Sequence, residues 1–326
     1  MSLEYSRFMG SMGIWNWLLS GVLICVVAGV SGVDAQELKD TRPHLWSIGI
    51  VEGPTPLAMR ELPKSPNPRL TAKDLPQPPS SFVADPFLVR ERGVFYLFFE
   101  LFNSDSQKGE IGVASSPDGY SWRYLGVVLR EPFHLSYPYV FQHQGRYYMI
   151  PESRAGGGVR LYRAKNFPLT WELDTALFEG PYADSSIVYH DKRWWIFSER
   201  QAYTLTIWHS HHLQGPWEQH PAGLLYPEDR ARTRPGGRIV RVGGKLIRFS
   251  QDNVGGYGKR VRAFEILELT PSTFRERPMV PDPLFGPTGN AWRFNGMHHV
   301  APLRLASGRW IAAVDGNGIP EPDARK

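Results

Sequence analysis

The sequence is poor in cysteine: its 326 residues include a single one, Cys25, within a hydrophobic stretch near the N-terminus. An intramolecular disulfide is therefore excluded, and stability must come from a hydrophobic core, for which the chain is long enough. Ile24 precedes Cys25 where a lipoprotein signal would carry a small residue, so lipidation of this cysteine is not expected.

Long runs of like charge are also missing, as is any long amphipathic helix pattern after residue 36. The 37 basic and 32 acidic residues give a net charge of +5 and are interspersed along the chain. This distribution argues against nucleic acid as a partner. The mild basic excess is compatible with an acidic glycan or an anionic membrane surface.

One long apolar run is present, from residue 14 to residue 30, and is followed by Val33-Asp34-Ala35, a small-residue cleavage pattern before Gln36. The run predicts a cleaved signal peptide over residues 1–35. An uncleaved N-terminal membrane anchor through residues 14–30 is the alternative, because the run approaches the length of a membrane span. Both interpretations predict an exported protein that is periplasmic, extracellular or membrane-anchored.

Five segments of the remaining sequence share one pattern. A polar or small residue opens a short apolar strand, a tight polar turn follows, and an acidic or amide residue closes a second, aromatic-rich strand. The opening and closing residues are Asp85 and Glu100, Tyr137 and Glu152, Asp184 and Glu199, Gly236 and Gln251, and His299 and Asp315. The first four pairs are each 15 residues apart and the fifth pair is 16 apart.

The openings recur at intervals of 52, 47, 52 and 63 residues, which is the length of a four-stranded blade. The sequence therefore predicts an all-β fold, a five-bladed β-propeller with four-stranded blades over residues 81–326. A β-sandwich would not explain the constant spacing. Residues 36–80 are expected to lie extended against the propeller and to supply its closing strand.

The first strand of each propeller blade lines the central channel, so the five opening residues should form a ring at its mouth. Asp85 and Asp184 are the candidate catalytic residues, because two carboxylates across a funnel can serve as acid and base in glycosidic cleavage. Both could instead cap strands. The closing residues Glu100, Glu152 and Glu199 are interpreted as mainly structural.

Candidate substrate-binding residues surround this ring. Aromatic side chains suit the apolar faces of sugars, and polar side chains near the ring could bind hydroxyl groups. The candidates are Tyr137, Tyr139, Tyr182, Arg234, Trp292, His298 and His299, with Asn295 close by.

Several motifs resemble those of known families. VADPF around Asp85 and the SSPDGYSW turn resemble the five-bladed propellers of family 43 glycoside hydrolases. The strings WSIGIVEGPTPL, KGEIGVASSPDGYSW, EPFHLSYPYVF and YYMIPES are similar to the N-terminal propeller domain of glucosamine inositolphosphorylceramide transferases and its bacterial homologues. In the plant enzymes a separate glycosyltransferase domain follows the propeller. No second domain of that kind is expected in this sequence, so the resemblance does not by itself imply transferase activity.

The hydrolase resemblance implies roles for particular residues. Asp85 matches the general base, and Asp184 lies where the third blade supplies the acid, which is a Glu in that family. Tyr137 lies where that family has an Asp that adjusts the pKa of the acid. A neutral tyrosine cannot supply the negative charge needed for this. Glu179, in Glu179-Gly180-Pro181, resembles the acid motif and is a lesser candidate.

The resemblance also bears on metals. His299 matches a histidine that faces a central calcium through water in some such hydrolases, but a histidine hydrogen-bonded within the channel is equally consistent. The adjacent pair His298-His299 does not have zinc-site spacing. We therefore predict no metal or cofactor, with calcium in the central channel as the alternative.

Taken together, these patterns favour a carbohydrate-active propeller that processes a glycan in the manner of a glycoside hydrolase. A non-catalytic glycan-binding module, or an accessory domain of a glycosyltransferase, is the alternative. Asp85 and Asp184 favour the enzyme, whereas Tyr137 favours the binding module. The expected partner is a glycan or the sugar of a glycolipid, and the sequence leaves the oligomeric state open.

Overall fold

The computed structural model describes residues 46–63, 66–201, 203–288 and 291–318. The segment predicted to be a signal peptide or anchor lies outside these residues. Within the described part, the chain forms strands and three single-turn 3-10 helices at Ala72–Asp74, Arg154–Gly156 and Ala291–Arg293. No helix among the described residues is long and apolar enough to span a membrane.

The strands follow one another closely along the chain. They are β1 (Trp46–Gly53), β2 (Ser80–Glu91), β3 (Val94–Asn103), β4 (Lys108–Ser116), β5 (Arg123–Leu129), β6 (Ser136–His143), β7 (Arg146–Glu152), β8 (Gly158–Asn166), β9 (Thr170–Glu179), β10 (Ala183–His190), β11 (Arg193–Arg200), β12 (Thr204–Ser210), β13 (Glu218–Gln219), β14 (Val240–Val242), β15 (Lys245–Asp252), β16 (Arg260–Leu269), β17 (Phe274–Pro278), β18 (Val300–Arg304) and β19 (Trp310–Asn317).

These strands form five sheets, which confirms the predicted five-bladed propeller. Blades 1 to 4 are antiparallel meanders of four consecutive strands: β2–β5, β6–β9, β10–β13 and β14–β17. The first two strands of a blade are joined by a two-residue turn with positive φ at both positions, as in Arg92-Gly93 (47° and 87°) and Gln144-Gly145 (48° and 75°). Such turns match the right-handed twist of a hairpin.

Blade 5 is assembled from both parts of the chain. Strand β19 pairs with β18 on one side and with β1 on the other, in an antiparallel register from Trp46 opposite Asn317 to Gly53 opposite Trp310. Isolated bridges from β1 to Leu70 and Arg60 continue this sheet outward. The segment before blade 1 therefore supplies the closing strand and ties the propeller into a ring.

The second strand of each blade is almost continuously buried. The sequence VFYLFFELFN of β3 and RYYMIPE of β7 do not alternate between polar and apolar residues, because the neighbouring blades cover both of their faces. The packed layers between blades form the hydrophobic core. As a result, the inner strands are held rigidly around the axis.

Tyr137 lies on that axis and touches all the other blades. Its ring packs edge-on against Phe87 (5.0 Å between centroids) and His299 (5.2 Å). Its hydroxyl lies 2.8 Å from Ser186 Oγ, donates to Gly237 O (3.0 Å) and accepts from the Gly237 N–H (2.6 Å). The five inner strands therefore converge, as the repeat predicts.

The repeat is also visible in the backbone. Asp85, Tyr137 and Asp184 have φ values of 51°, 45° and 51°, and each lies at a bulge between the first two strands of its blade. A left-handed conformation at a non-glycine residue costs about 1–3 kcal/mol and persists only where the surroundings determine it. The three opening residues are therefore structurally equivalent.

Candidate functional site

A cavity of about 290 Å³ opens at the ends of the inner strands. Its polar lining includes Asp85, Glu100, His134, Glu152, Arg154, Arg234 and His298. Its aromatic lining consists of Trp46, Phe82, Phe102 and Tyr257. Three predicted site residues, Asp85, Arg234 and His298, are thus brought together in one concave site.

Asp85 lies in the wall of this cavity and is 5% exposed. Its backbone N–H donates to Asp315 Oδ2 (3.1 Å), whereas its own Oδ1 has no hydrogen-bond partner among the described residues. Burial raises the pKa of Asp85 to about 8, with the charge of Asp184 adding to the effect and that of His298 opposing it. Near neutral pH this side chain is better suited to donate a proton than to accept one, unlike the base expected from the sequence.

Asp184 occupies the equivalent position in blade 3 but does not line the cavity. It is 1% exposed, and its Oδ2 accepts hydrogen bonds from Arg234 Nε and Gln251 Nε2, both at 2.6 Å. Burial works against the charge of Arg234, yet Asp184 raises the pKa of Arg234 well above its ordinary value. Two donors on one oxygen stabilise the carboxylate, so the role of proton donor predicted for Asp184 does not suit this arrangement.

Blade 4 departs from the register that the spacing suggests. Gln251 N–H bonds to Arg234 O, just as Glu100 lies opposite Ala84 in blade 1. By this register Arg234 corresponds to Ala84 and Pro235 to Asp85, so Gly236 is not the ring position of this blade. A side chain at Gly236 would not fit, since a Cβ there would lie 2.8 Å from the Ser250 carbonyl carbon.

Glu100 and Glu152 close the second strands of blades 1 and 2, and both line the cavity. Glu100 Oε1 lies 3.4 Å from His134 Nε2, and Glu152 Oε1 lies 3.5 Å from Arg154 Nε. Burial, followed by the charge of Asp85, raises the pKa of Glu100 well above its usual range. Burial, followed by the charge of Asp184, raises the pKa of Glu152 to about 7.

The interpretation of these glutamates as mainly structural therefore missed two residues that face the cavity. A signal was available in the sequence, because the fifteen-residue spacing places each closing residue beside an opening residue across the strand pair. Glu199, the third member of the set, does not line the cavity and accepts a hydrogen bond from Thr233 Oγ1 (3.3 Å).

The two histidines of blade 5 have different environments. His298 lines the cavity, stacks on Trp46 at 4.0 Å and has its Nδ1 2.7 Å from Asp315 Oδ2. Burial opposes its charge, but Asp315 outweighs this effect and raises the pKa of His298. His299 is fully buried beside Tyr137, and burial lowers the pKa of His299 to about 4. Of these two histidines, His298 is the one that lines the cavity.

Asp85, His298 and Asp315 form the one group in the described part of the chain whose metal-ligand atoms all lie within 4.8 Å of one another. The oxygens of Asp315 are already engaged, however. Oδ1 accepts from the backbone N–H groups of His298 and His299 (3.1 and 3.0 Å), and Oδ2 accepts from that of Asp85. Calcium takes six to eight oxygen ligands, waters included, and this group offers few free oxygens; calcium in the central channel stays a prediction.

The four aromatic candidates are buried away from the cavity. Tyr137, Tyr139, Tyr182 and Trp292 are 0%, 2%, 5% and 8% exposed. The Tyr139 hydroxyl donates to Ile187 O (2.7 Å), and Tyr182 packs edge-on against Phe178 and Trp208. The expectation that these rings stack on a glycan at the rim is therefore wrong.

Trp292 shows why these rings are not available to a ligand. Its ring packs where Cβ atoms of Gly49 and Gly316 would lie, so it fills a gap on the β1–β19 sheet. The lesser acid candidate, Glu179, is exposed at the end of β9 and does not line the cavity. Asn295 also lies off the cavity, with its side-chain amide bonded to Asn317 Oδ1 and Gly318 O.

The rings that do line the cavity come from outside the repeated positions. Trp46 begins β1, and Tyr257, which is 43% exposed, belongs to the loop between β15 and β16. Phe82 and Phe102 stack on each other at 5.3 Å on the blade 1 side. No repeat pattern could have identified Trp46 and Tyr257, since the closing strand and loops follow no fixed spacing.

Comparisons with known proteins agree with this architecture. Residues 39–317 match the family described as glucosamine inositolphosphorylceramide transferase 1, N-terminal. The transferase of that name from Oryza sativa subsp. japonica is 38% identical over 306 residues, which cover 86% of this chain and 41% of the rice protein. The Arabidopsis thaliana protein is 35% identical over 303 residues, covering 85% and 40%. The chain thus spans about two fifths of the length of these relatives.

Solved structures with the same fold are more distant in sequence. The catalytic domain of a GH62 α-L-arabinofuranosidase from Coprinopsis cinerea aligns with a TM-score of 0.59 at 12% identity, covering 85% of this chain and 98% of that one. A thermostable family-43 glycoside hydrolase aligns with a TM-score of 0.53 at 13% identity, covering 75% and 96%. At these identities the similarity establishes the propeller fold alone.

Proposed function

The chain belongs to the family of the N-terminal domain of glucosamine inositolphosphorylceramide transferase 1, and from this premise we propose that its cavity binds a sugar of a glycan or a glycolipid headgroup. The relatives' name points to a glycolipid substrate, and the fold is shared with glycoside hydrolases. Binding without hydrolysis is the form of the proposal that the site favours.

The observation that carries this proposal is the mixed lining of the cavity. Carboxyl groups of Asp85, Glu100 and Glu152 face the same space as the rings of Trp46 and Tyr257. Sugars present hydroxyl groups around the ring edge and an apolar face, which such a lining complements. A volume of about 290 Å³ lies near the lower end for ligand pockets, which favours a short ligand.

Hydrolysis is less well supported. Cleavage of a glycosidic bond uses two carboxyl groups on opposite sides of that bond, one as acid and one as base or nucleophile. Asp184, the predicted acid, is bound by Arg234 and Gln251 and does not line the cavity. Asp85, the predicted base, has a raised pKa, and Tyr137 provides no carboxylate.

A screen of the protein against glycans, glycolipid headgroups and aryl glycosides, following both binding and turnover, tests the proposal. We expect saturable binding of at least one glycan without turnover. Asp85→Asn should weaken that binding by roughly threefold to tenfold, the effect of losing one hydrogen bond. The exposed Glu179→Gln is the matched control. A protein that binds none of the panel would contradict the proposal.

A glycoside hydrolase is the second candidate, favoured by the raised pKa values of Asp85 and Glu152. Asp85 would donate the proton, and Glu152 would act as its partner. Turnover of an aryl glycoside that falls by roughly 10²-fold or more in both Asp85→Asn and Glu152→Gln, the scale of general acid–base catalysis, would favour this candidate over simple binding.

An accessory role beside a glycosyltransferase is suggested by the name of the relatives. In that role the propeller would hold the acceptor sugar while a separate active site acts on it. Addition of the propeller should then lower the KM of a partner transferase for its acceptor. An unchanged KM would count against it.

Export completes the proposal, with residues 1–35 acting as a signal peptide or residues 14–30 as a membrane anchor. N-terminal sequencing of the mature protein and fractionation of cells distinguish the two forms. A full-length protein found in the cytoplasm would contradict both.

A further inference from the structure

The inner hairpins of the five blades turn at the end of the propeller opposite the cavity. Each inner strand starts near the ring and runs away from it, so at about 3.3 Å per residue the end of β2 at Glu91 lies roughly 20 Å from Asp85. With the strand residues that flank them, the five turns comprise residues 90–93, 142–146, 190–193, 241–245 and 304–309. We call the surface formed by these turns the basic face.

The basic face holds the positive charge of the protein. Its turns contain nine basic residues and two acidic ones, an excess of seven, whereas the whole chain has an excess of only five. The rest of the chain therefore has slightly more acidic than basic residues. The nine are Arg90, Arg92, Arg146, Lys192, Arg193, Arg241, Lys245, Arg304 and Arg309. Residues that are dispersed along the sequence are thus gathered on one face by the repeat.

Most of these cations have no carboxylate beside them. Three of the nine lie within 3.5 Å of a carboxylate, and these pairs are Arg92 with Glu91 (3.3 Å), Lys245 with Glu265 (3.3 Å) and Arg309 with Glu52 (3.5 Å). The other six form no ion pair within the described ranges, and all but the partly buried Arg193 are exposed. The face therefore keeps a net positive charge that is open to solvent.

Arg238 adds a further cation near the axis, between the ring and the basic face. Its Nη2 donates to the carbonyl oxygens of Leu88 (3.2 Å) and Val140 (2.9 Å), each three residues beyond a ring residue of its blade. No carboxylate contacts Arg238 in the part of the chain that the structure describes, and burial lowers the pKa of its guanidinium. A cation without a counterion strengthens the positive potential of the surface nearest to it.

The shape of the basic face suits a broad, flat partner. Four of its five hairpins have two-residue turns with positive φ at both positions, and turns of this length are too short to form the walls of a groove. Tyr189, which is 52% exposed, lies beside the turn of blade 3. Tyrosine is favoured where a membrane meets water, and anionic lipids attract Lys and Arg at the same surface.

We propose that the basic face docks on an anionic membrane surface and that its arginine and lysine side chains bind phospholipid headgroups. The cavity, at the opposite end of the propeller, would then open away from that membrane. This inference goes beyond the proposed function and does not depend on what the cavity binds.

Cosedimentation of the full-length chain with vesicles tests the proposal. Phosphatidylcholine vesicles with about 30% phosphatidylserine should bind at least about tenfold more tightly than pure phosphatidylcholine at about 0.1 M salt. About 0.5 M salt should remove most of this difference, because it screens the charges. The apolar run of residues 14–30 is present in every sample, so the preference for anionic vesicles reports on charge.

The variant Arg90→Gln/Arg146→Gln/Lys192→Gln removes three of the unpaired cations from blades 1, 2 and 3. It should bind anionic vesicles at least about tenfold more weakly, since each basic residue near such a surface contributes roughly fivefold. The matched control, Lys73→Gln/Arg200→Gln/Arg230→Gln, changes three exposed basic residues outside the basic face and should retain the preference to within about twofold. Thermal melts establish that both variants are folded, and both should bind a glycan in the cavity as the parent does.

Amide hydrogen exchange gives a second measurement if residues 14–30 hold the chain on both kinds of vesicle. Exchange in the five turns should slow on anionic vesicles and not on neutral ones. Unchanged exchange in the turns, or equal losses of binding in the two triple variants, would overturn the proposal. Binding to soluble heparin without binding to anionic vesicles would also overturn it, in favour of an acidic polysaccharide.

Discussion

Asp85 and Asp184 occupy equivalent positions in blades 1 and 3, yet their surroundings are opposite. Both have φ of 51° at a bulge, and both are almost completely buried. Asp184 Oδ2 accepts hydrogen bonds from Arg234 and Gln251, whereas Asp85 Oδ1 has only His299 Nδ1 at 3.6 Å. Oδ1 of both residues lacks a hydrogen-bond partner among the described residues. The repeat therefore determines where a side chain lies, and the neighbouring blade determines its chemistry.

The same contrast extends across the cavity. On the side of blades 3 and 4, the carboxylate of Asp184 and the guanidinium of Arg234 are paired within the protein. On the side of blades 1 and 2, Asp85, Glu100 and Glu152 face open space. The first side supports the fold, and the second is where a ligand can gain interactions.

Breaking the ion pair between Arg234 and Asp184 should have the largest effect on stability. Arg234→Met leaves Asp184 buried without its cation, and we expect the free energy of unfolding to fall by about 3–5 kcal/mol. Arg154→Gln, at a partly exposed and longer contact, should cost less than about 1 kcal/mol. Urea denaturation of both variants measures the difference. Similar losses for the two would show that the Arg234 pair has no special role.

The buried carboxyl groups on the side of blades 1 and 2 should make the stability of the fold depend on pH. The pKa of Asp85 is raised from 3.8 to about 8, and that of Glu152 from 4.5 to about 7. Between these limits the folded protein binds more protons than the unfolded chain, so stability should fall as pH rises, by up to about 1.4 kcal/mol per pH unit for each carboxyl. Denaturation curves between pH 5 and pH 8 measure this slope.

Asp85→Asn is the control for the dependence of stability on pH. Because the amide does not titrate, the variant should lose the contribution of Asp85, and its stability relative to the parent should increase with pH. The exposed Glu179→Gln should keep the parent slope. Stability that rises between pH 5 and pH 8 in the parent would contradict the assignment.

The smallest expected effects come from replacing aromatic residues inside and outside the cavity. Tyr257→Ala removes a ring from the cavity wall and should weaken glycan binding by roughly 1–2 kcal/mol, as truncation of an aromatic contact residue does. Tyr182→Phe, at a buried ring that does not line the cavity, should leave binding unchanged. Calorimetry with a glycan found in the screen measures both. Equal losses would mean that the ligand does not occupy this cavity.

The sequence was sufficient for the architecture and for part of the site. Constant spacing identified Asp85, Tyr137 and Asp184 as equivalent, and they share backbone conformation and bulge geometry. The inner strands converge because each blade repeats the same hairpin. Spacing alone could not assign chemistry, since the partner of Asp184 comes from the next blade, fifty residues away.

Other features of the site do not follow any repeat. Trp46 and Tyr257 reach the cavity from the closing strand and from a loop. Tyr137 was predicted to stack on a sugar, but its hydroxyl and ring are used at the axis. In blade 4 the register makes Pro235, rather than Gly236, equivalent to Asp85, and Arg234 reaches the cavity from the residue before it.

The closing strand gives the cavity an unusual dependence on the chain ends. Trp46 is both the first residue of β1, opposite Asn317 in β19, and part of the cavity wall, where it stacks on His298. Separation of β1 from β19 would remove that wall and open the ring in a single event. A ligand that contacts Trp46 would stabilise the pairing of β1 with β19. Amide hydrogen exchange along β1 should then slow in proportion to the affinity of the ligand.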